Sequence, residues 1–183
     1  MSGDTVDMDK NAELRLLSAK DAEVYSVLRL RALKEEPEAF GGSYEESKNL
    51  SLEEVRERIK NDENAFVFGA FQKDSGDMAG MAGFFRRRGI KMRHKGEIWG
   101  MYTAPEARGK GLGRALLNAV IERASAMPDL EEILITVVVG NKEAAKLYES
   151  VGFVQYGIEP RALKLKEENK VNYFDESLML LKL

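Results

Sequence analysis

Arg108-Gly109-Lys110-Gly111-Leu112-Gly113-Arg114 sets three glycines at alternate positions among three basic side chains. Glycine has no Cβ, so such a turn brings its backbone close to a ligand and adopts positive φ without a clash. The apolar spacing that follows starts a helix, and the free N–H groups of a helix's first turn, with the helix dipole, attract an anion. The residues before the turn, Met101-Tyr102-Thr103, read as the end of a buried strand. Strand, glycine turn and helix in that order form a cradle for a diphosphate. Two common diphosphate motifs do not fit. A P-loop ends in Gly-Lys-Ser/Thr, where this chain has Leu112-Gly113-Arg114. A dinucleotide fold needs Gly-x-Gly-x-x-Gly, and here position 114 is Arg. What the residues do meet is Arg-x-x-Gly-x-Gly, with Arg108, Gly111 and Gly113.

A second block follows. Ile133 to Val139 is rich in β-branched residues and reads as a strand buried on both faces. Asn141 is a natural N-cap for the helix after it, and Gly152 a natural stop. The first block, together with Asn141…Ala144-Ala145-x-Leu147-Tyr148-x-x-x-Gly152-Phe153, resembles the paired signature segments of the GNAT superfamily of N-acetyltransferases, in that family's order and separation. The motif-level resemblance spans residues 97–154. It implies acetyl-CoA as the acetyl-donor cosubstrate. Its contacts would be Met101, Tyr102, Thr103, Arg108, Gly109, Lys110, Gly111, Leu112, Gly113, Arg114, Asn141 and Tyr148.

Acetyl transfer from a thioester to an amine requires a deprotonated amine, a stabilised oxyanion and a proton for the departing thiolate. Tyr148 is the candidate acid: it has donor chemistry and occupies the tyrosine of the family pattern. The alternative is that it only packs beside Leu147 and Val151. Glu97 is the candidate base, eleven residues before Arg108, where some GNAT enzymes carry a catalytic glutamate. Alternation places Glu97, Trp99 and Met101 on one strand face. Glu97 equally suits an exposed hairpin end, with a water relay as base. Gly100 suits a bulge, and a backbone N–H near Met101 would face the oxyanion. Phe40, Tyr44, Glu159, Arg161 and Tyr173, from the 35–45 loop and the 159–174 connection, are candidate acceptor contacts. The expected acceptor is a small primary amine attacked directly, since the chain has no cysteine to carry an acyl group. Protein or peptide acetylation and a non-catalytic acyl-CoA sensor are the alternatives.

The elements expected to position these groups run β-α-α-β-β-β-α-β-α-β-β. A strand covers Glu13–Leu17, helices cover 19–34 and 51–60, and strands cover 65–71, 78–85 and 97–103. The long helix covers 112–126, and the closing strands 153–158 and 176–181. Ser51 with Glu54 makes a capping box. The order implies the GNAT α/β (α+β) fold, a mixed, mostly antiparallel sheet of about seven strands flanked by about four helices. Residues 1–11 are expected to fray and 12–183 to form one domain.

Hydrophobic residues are 44%, charged residues 32% and the net charge is −3, ordinary for a globular domain without a global pull toward nucleic acid or membrane. The polar, acidic N-terminus does not read as a signal peptide, and the absence of cysteine suits a reducing cytoplasm. The single histidine argues against a multi-histidine metal site, and no metal is expected. The segment 86–95 holds six basic residues in ten. Without interleaved aromatics it reads as a solvated hairpin tip rather than an RNA site. An exposed last strand would allow a homodimer.

Overall fold

The computed structural model describes residues 5–8, 12–167 and 170–183. Its strands are β1 (Thr5–Met8), β2 (Ala12–Leu16), β3 (Ala65–Gln72), β4 (Met78–Arg86), β5 (Lys95–Thr103), β6 (Glu132–Val138), β7 (Val154–Glu167) and β8 (Lys170–Lys182). They form one sheet in the order β1-β2-β3-β4-β5-β6-β8-β7. Only β5 and β6 run parallel; the other neighbours are antiparallel. The helices are α1 (Ala22–Glu35), α2 (Tyr44–Ser47), α3 (Leu52–Arg58), α4 (Leu112–Ser125) and α5 (Lys142–Glu149). This is the mixed α/β sheet expected, with β1 as the extra strand. Residues 5–8 thus pair with β2, while the rest of the segment expected to fray, 1–4 and 9–11, lies outside the described residues.

The sheet is covered on both faces. Leu112, Leu116, Leu117 and Val120 of α4 pack with Phe66, Phe84, Ile98 and Ile133 on one side. Tyr25, Leu28 and Ala32 of α1, with Val55 and Ile59 from α3 and its cap, pack with Val67, Met81 and Tyr102 on the other. Central strands β3 and β4 are buried on both faces. Their sequences therefore read as continuous apolar runs rather than alternating ones.

Two expectations are corrected. The 159–174 stretch is not a loop: β7 and β8 continue as one long hairpin, in register from Leu163↔Phe174 to Glu167↔Lys170. Ala162-Leu163-Lys164-Leu165-Lys166 alternates with period two, which is the strand signal. Nor is the last strand an exposed edge. β8 lies between β6 and β7, so β7 is the edge.

The entry to α1 is locked by one carboxylate. Asp21, 7% exposed, accepts from Arg15 at 2.7 and 3.0 Å and from the Ser18 N–H and hydroxyl at 2.7 and 2.9 Å. The bond from Arg15 holds its carboxyl below the usual carboxylate range. Asp21→Asn keeps the shape and loses the charge, and is expected to cost about 2 kcal/mol at neutral pH. That corresponds to a Tm drop of roughly 4–8 °C. A lowered folded-state pKa gives stability that is complete above the unfolded value, about 4, and is lost as pH falls through the folded one. The gap between wild type and variant in thermal melts should therefore be full at pH 7 and close progressively below about pH 4.

Candidate functional site

The parallel pair opens into a wedge. β5 and β6 are in register only at Lys95↔Glu132, Gly96↔Ile133 and Glu97↔Leu134, after which β6 pairs with β8 alone. The β6-facing backbone edge of β5 is left open beyond Glu97. Opposite, the β4–β5 register shifts between Met81 and Gly83, and Gly100 stands at φ +63°. That extra residue inverts the side-chain alternation. Trp99 packs on the α1/α3 side and Met101 on the α4 side. The expectation that Trp99 and Met101 share a face with Glu97 is therefore corrected: the bulge separates Met101 from the residues before it.

The wedge leads into a cleft of about 710 Å³. Its lining includes Met101, Tyr102 and Thr103 of β5, Arg108, Gly109, Gly111, Leu112, Gly113 and Arg114 of the glycine turn, and Thr136 to Asn141 at the end of β6 and just after it. Lys110 is not in that lining and is exposed. At the floor of the turn, Gly111 is the N-cap of α4 at φ +79° and supplies no side-chain hydrogen bond. Ser43, Ser51 and Asn141 do cap α2, α3 and α5. The first-turn N–H groups of α4 thus face the cleft without a side-chain acceptor, which is what an anionic ligand requires.

The turn is held from behind by α1. Arg31 donates to Glu106 at 2.6 and 2.9 Å, and Tyr102 donates to Glu35 at 2.8 Å. Arg108 pairs with Glu36 and donates to the Thr103 carbonyl at 2.9 Å. Arg31 draws the Glu106 carboxyl down to about 2. Arg108 therefore lines the cleft while bracing the turn against α1.

Across the cleft, Tyr148 on α5 is 5% exposed and packs against Phe153, ring centroids 6.2 Å apart. Burial pushes its phenol well above the usual tyrosine range, so it carries its proton at neutral pH. Asn141 accepts from the Ala144 N–H at 3.2 Å, so its carbonyl is used as the cap while the residue still lines the cleft.

A wedge between parallel strands, an open helix N-terminus and a facing phenol are now joined by sequence. The model of the acetyltransferase (GNAT) family matches residues 29–153. The chain belongs to the GNAT acetyltransferase family. The family uses acetyl-CoA. The crystal structure of a GNAT-family acetyltransferase from Streptococcus pneumoniae is 26% identical, covering 94% of this chain and 99% of that one, with a TM-score of 0.81. A spermidine N(1)-acetyltransferase from Vibrio cholerae is 30% identical over 115 residues, 63% of this chain and 61% of its own length. A mycothiol acetyltransferase from Kocuria rhizophila is 39% identical over 64 residues, 35% of this chain and 21% of its own length. The chain thus spans less than two thirds of either relative.

In this GNAT chain the remaining candidates, Glu97, Phe40, Tyr44, Glu159, Arg161 and Tyr173, lie outside the cleft lining. Glu97 does not line the cleft; Arg87 Nη2 holds its Oε2 at 3.1 Å. Glu159 lies opposite Glu176 in the β7–β8 register. Glu176, which the sequence did not single out, accepts from the cleft residue Thr136 at 3.3 Å. Burial raises its carboxyl, with Glu159 and Glu97 adding to the effect. No sequence signal separates it from the other glutamates, because its neighbours come from β5 and β7. The Phe40 ring is tilted against that of Tyr102, centroids 6.3 Å apart. Tyr44 begins α2, 5.8 Å from the Lys48 ammonium. Arg161 lies over the Tyr173 ring at 3.8 Å, a pair internal to the hairpin.

The basic segment 86–95 is not uniformly solvated. Arg86 is 7% exposed and donates to the carbonyls of Arg93 and, at 2.7 Å, Pro128. Arg87 is held by Glu97, and Lys95 sits 2.8 Å from Glu132 as an ion pair rather than an aligned hydrogen bond. A hollow of about 820 Å³ beside this segment shares no lining residue with the cleft. Among the described residues, no helix is long and apolar enough to cross a membrane.

Proposed function

We propose that this protein transfers the acetyl group of acetyl-CoA directly to a small primary amine. The observation that carries the reading is the uncapped N-terminus of α4 at the mouth of the β5–β6 wedge, with the protonated Tyr148 lining the same cleft. The first-turn N–H groups of α4 and Arg114 would hold the diphosphate. The open edge of β5 would pair with the amides of the pantetheine arm, and a backbone N–H near Met101 would face the oxyanion. The amine nitrogen bonds to the acetyl carbon, the carbon–sulfur bond breaks, and Tyr148 gives its proton to the thiolate. Glu97 directly or through water, or Glu176 with its raised carboxyl, takes the proton from the amine.

The test is transfer from isotope-labelled acetyl-CoA into a mixed pool of amines, amino acids and peptides, read by mass. Labelled small amines are expected. Label confined to peptides would move the reading to protein acetylation. Acetyl-CoA binding without any labelled product would favour a sensor.

A further inference from the structure

Among the described residues, a buried guanidinium beside the bulge has no counter-charge. Arg29 on α1 is 6% exposed, and its Nε and Nη1 make no hydrogen bond among the described residues. The same holds for the hydroxyl of Tyr25, one helical turn earlier and 2% exposed. The charged side chain that acts on both is Arg58, itself a cation, which lies near the Tyr25 hydroxyl outside hydrogen-bond geometry. Arg58 stands 5.4 Å from the Trp99 ring, and Arg29 4.7 Å from that of Phe40. Three carboxylates on or flanking α1 serve elsewhere: Asp21 binds Arg15, Glu35 binds Arg31 and Tyr102, and Glu36 binds Arg108, while Glu23 on the same helix is exposed.

The position matters as much as the charge. A Cβ placed on Gly100 would lie 3.8 Å from Arg29 Nη1, and one on Gly42 would lie 3.4 Å from its Nη2. Arg29 therefore spans the gap between the β5 bulge and the 40–42 segment, and Met101, the next residue after Gly100, lines the cleft. Burial pulls Arg29 below its ordinary range; Tyr25 opposes this and Arg58 adds to it. Burying a charge without a partner is costly, and an anion here would offset that cost for Arg29, with the exposed Arg58 adding a second positive charge beside it.

We infer that Arg29, Arg58 and the Tyr25 hydroxyl form an anion subsite for the carboxylate of the acceptor, which is therefore a small amine of the amino-acid class. The inference rests on the acetyl-transfer reading and sharpens its substrate. A polyamine would bring only positive charge to two guanidiniums and would be repelled.

The full-length protein, saturated with coenzyme A, would be titrated by calorimetry with N-acetyl-amino acids and with matched N-acetyl-amines lacking the carboxylate. Phosphonate analogues would form a third arm. At least one acid is expected to bind about 100-fold tighter than its neutral match. Arg29→Gln should erase most of that preference with coenzyme A affinity unchanged. Its ligand-free Tm should not fall, because the variant removes an unpaired buried charge, whereas a purely structural arginine would lower it. Arg58→Gln, at an exposed position, should weaken the preference several-fold and decides the matter if Arg29→Gln does not fold. Equal binding of acids and neutral analogues, binding of phosphonates alone, no acid binding, or a preference that survives both substitutions would overturn the subsite. Failure of the wild-type protein to bind coenzyme A would instead sink the acetyl-transfer reading beneath it.

Discussion

Replacing Tyr148 by Phe is expected to lower kcat about 100-fold or more, with acetyl-CoA affinity changed by no more than a few-fold. The ring is almost wholly buried, against Phe153 and within the α4-side core. Phenylalanine fills the same volume, so α5 should stay in place. What disappears is one O–H donor facing the cleft. An interaction made only as the thiolate departs appears in kcat rather than in ground-state binding. Burial raises the phenol's pKa, so its protonated form should persist through the alkaline assay range. The wild-type kcat profile should accordingly show no loss from Tyr148 ionisation up to about pH 10. Steady-state kinetics with calorimetric acetyl-CoA binding checks both statements. An unchanged kcat in the variant would mean that solvent protonates the thiolate and that Tyr148 only packs.

Gly113→Glu should separate binding from folding. Gly113 is the second residue of α4, and a Cβ there meets Leu147, Thr103 and Met101 at 3.4 Å or beyond, ordinary contact. The helix gains a better helix former and a negative charge in its first turn, together worth about 0.5–1 kcal/mol in its favour. The same carboxylate occupies the place where the first-turn N–H groups would receive a diphosphate. Acetyl-CoA affinity is expected to fall more than about 100-fold while Tm is unchanged or slightly higher. Retained affinity in calorimetry would show that the diphosphate does not use this helix end.

Local signals are legible where both partners sit within one helical turn and no loop signal competes. Ser51 with Glu54 forms the capping box expected at α3, and Asn141 caps α5 as its side-chain chemistry required. The same Ser-x-x-Glu signal at Ser43 and Glu46 starts α2 inside a stretch whose proline and paired glycines read as loop. In the closing hairpin, Pro160 falls within the 159–174 stretch that read as a connection. The ladder absorbs it in an irregularity between Glu159 and Leu163, and the long strands continue.

The sequence by itself determined the glycine turn, the helix it starts, the capped helix carrying Tyr148 and the chain order of the strands from β2 onward. Each rests on contacts between residues a few positions apart, or on periodicity within one segment. Only the tertiary structure decided what those groups do to one another. The bulge at Gly100 sends Met101 and Trp99 to opposite faces because β4 fixes the register. Arg108 turns to Glu36, 72 residues away, because α1 packs behind the turn. Glu176 gains its raised carboxyl from burial beside strands that are distant in sequence. Among the described residues Arg29 has no counter-charge, because Asp21, Glu35 and Glu36 are drawn to other partners. Charge pairing and burial depend on which segments meet in space, and a one-dimensional spacing does not carry that information.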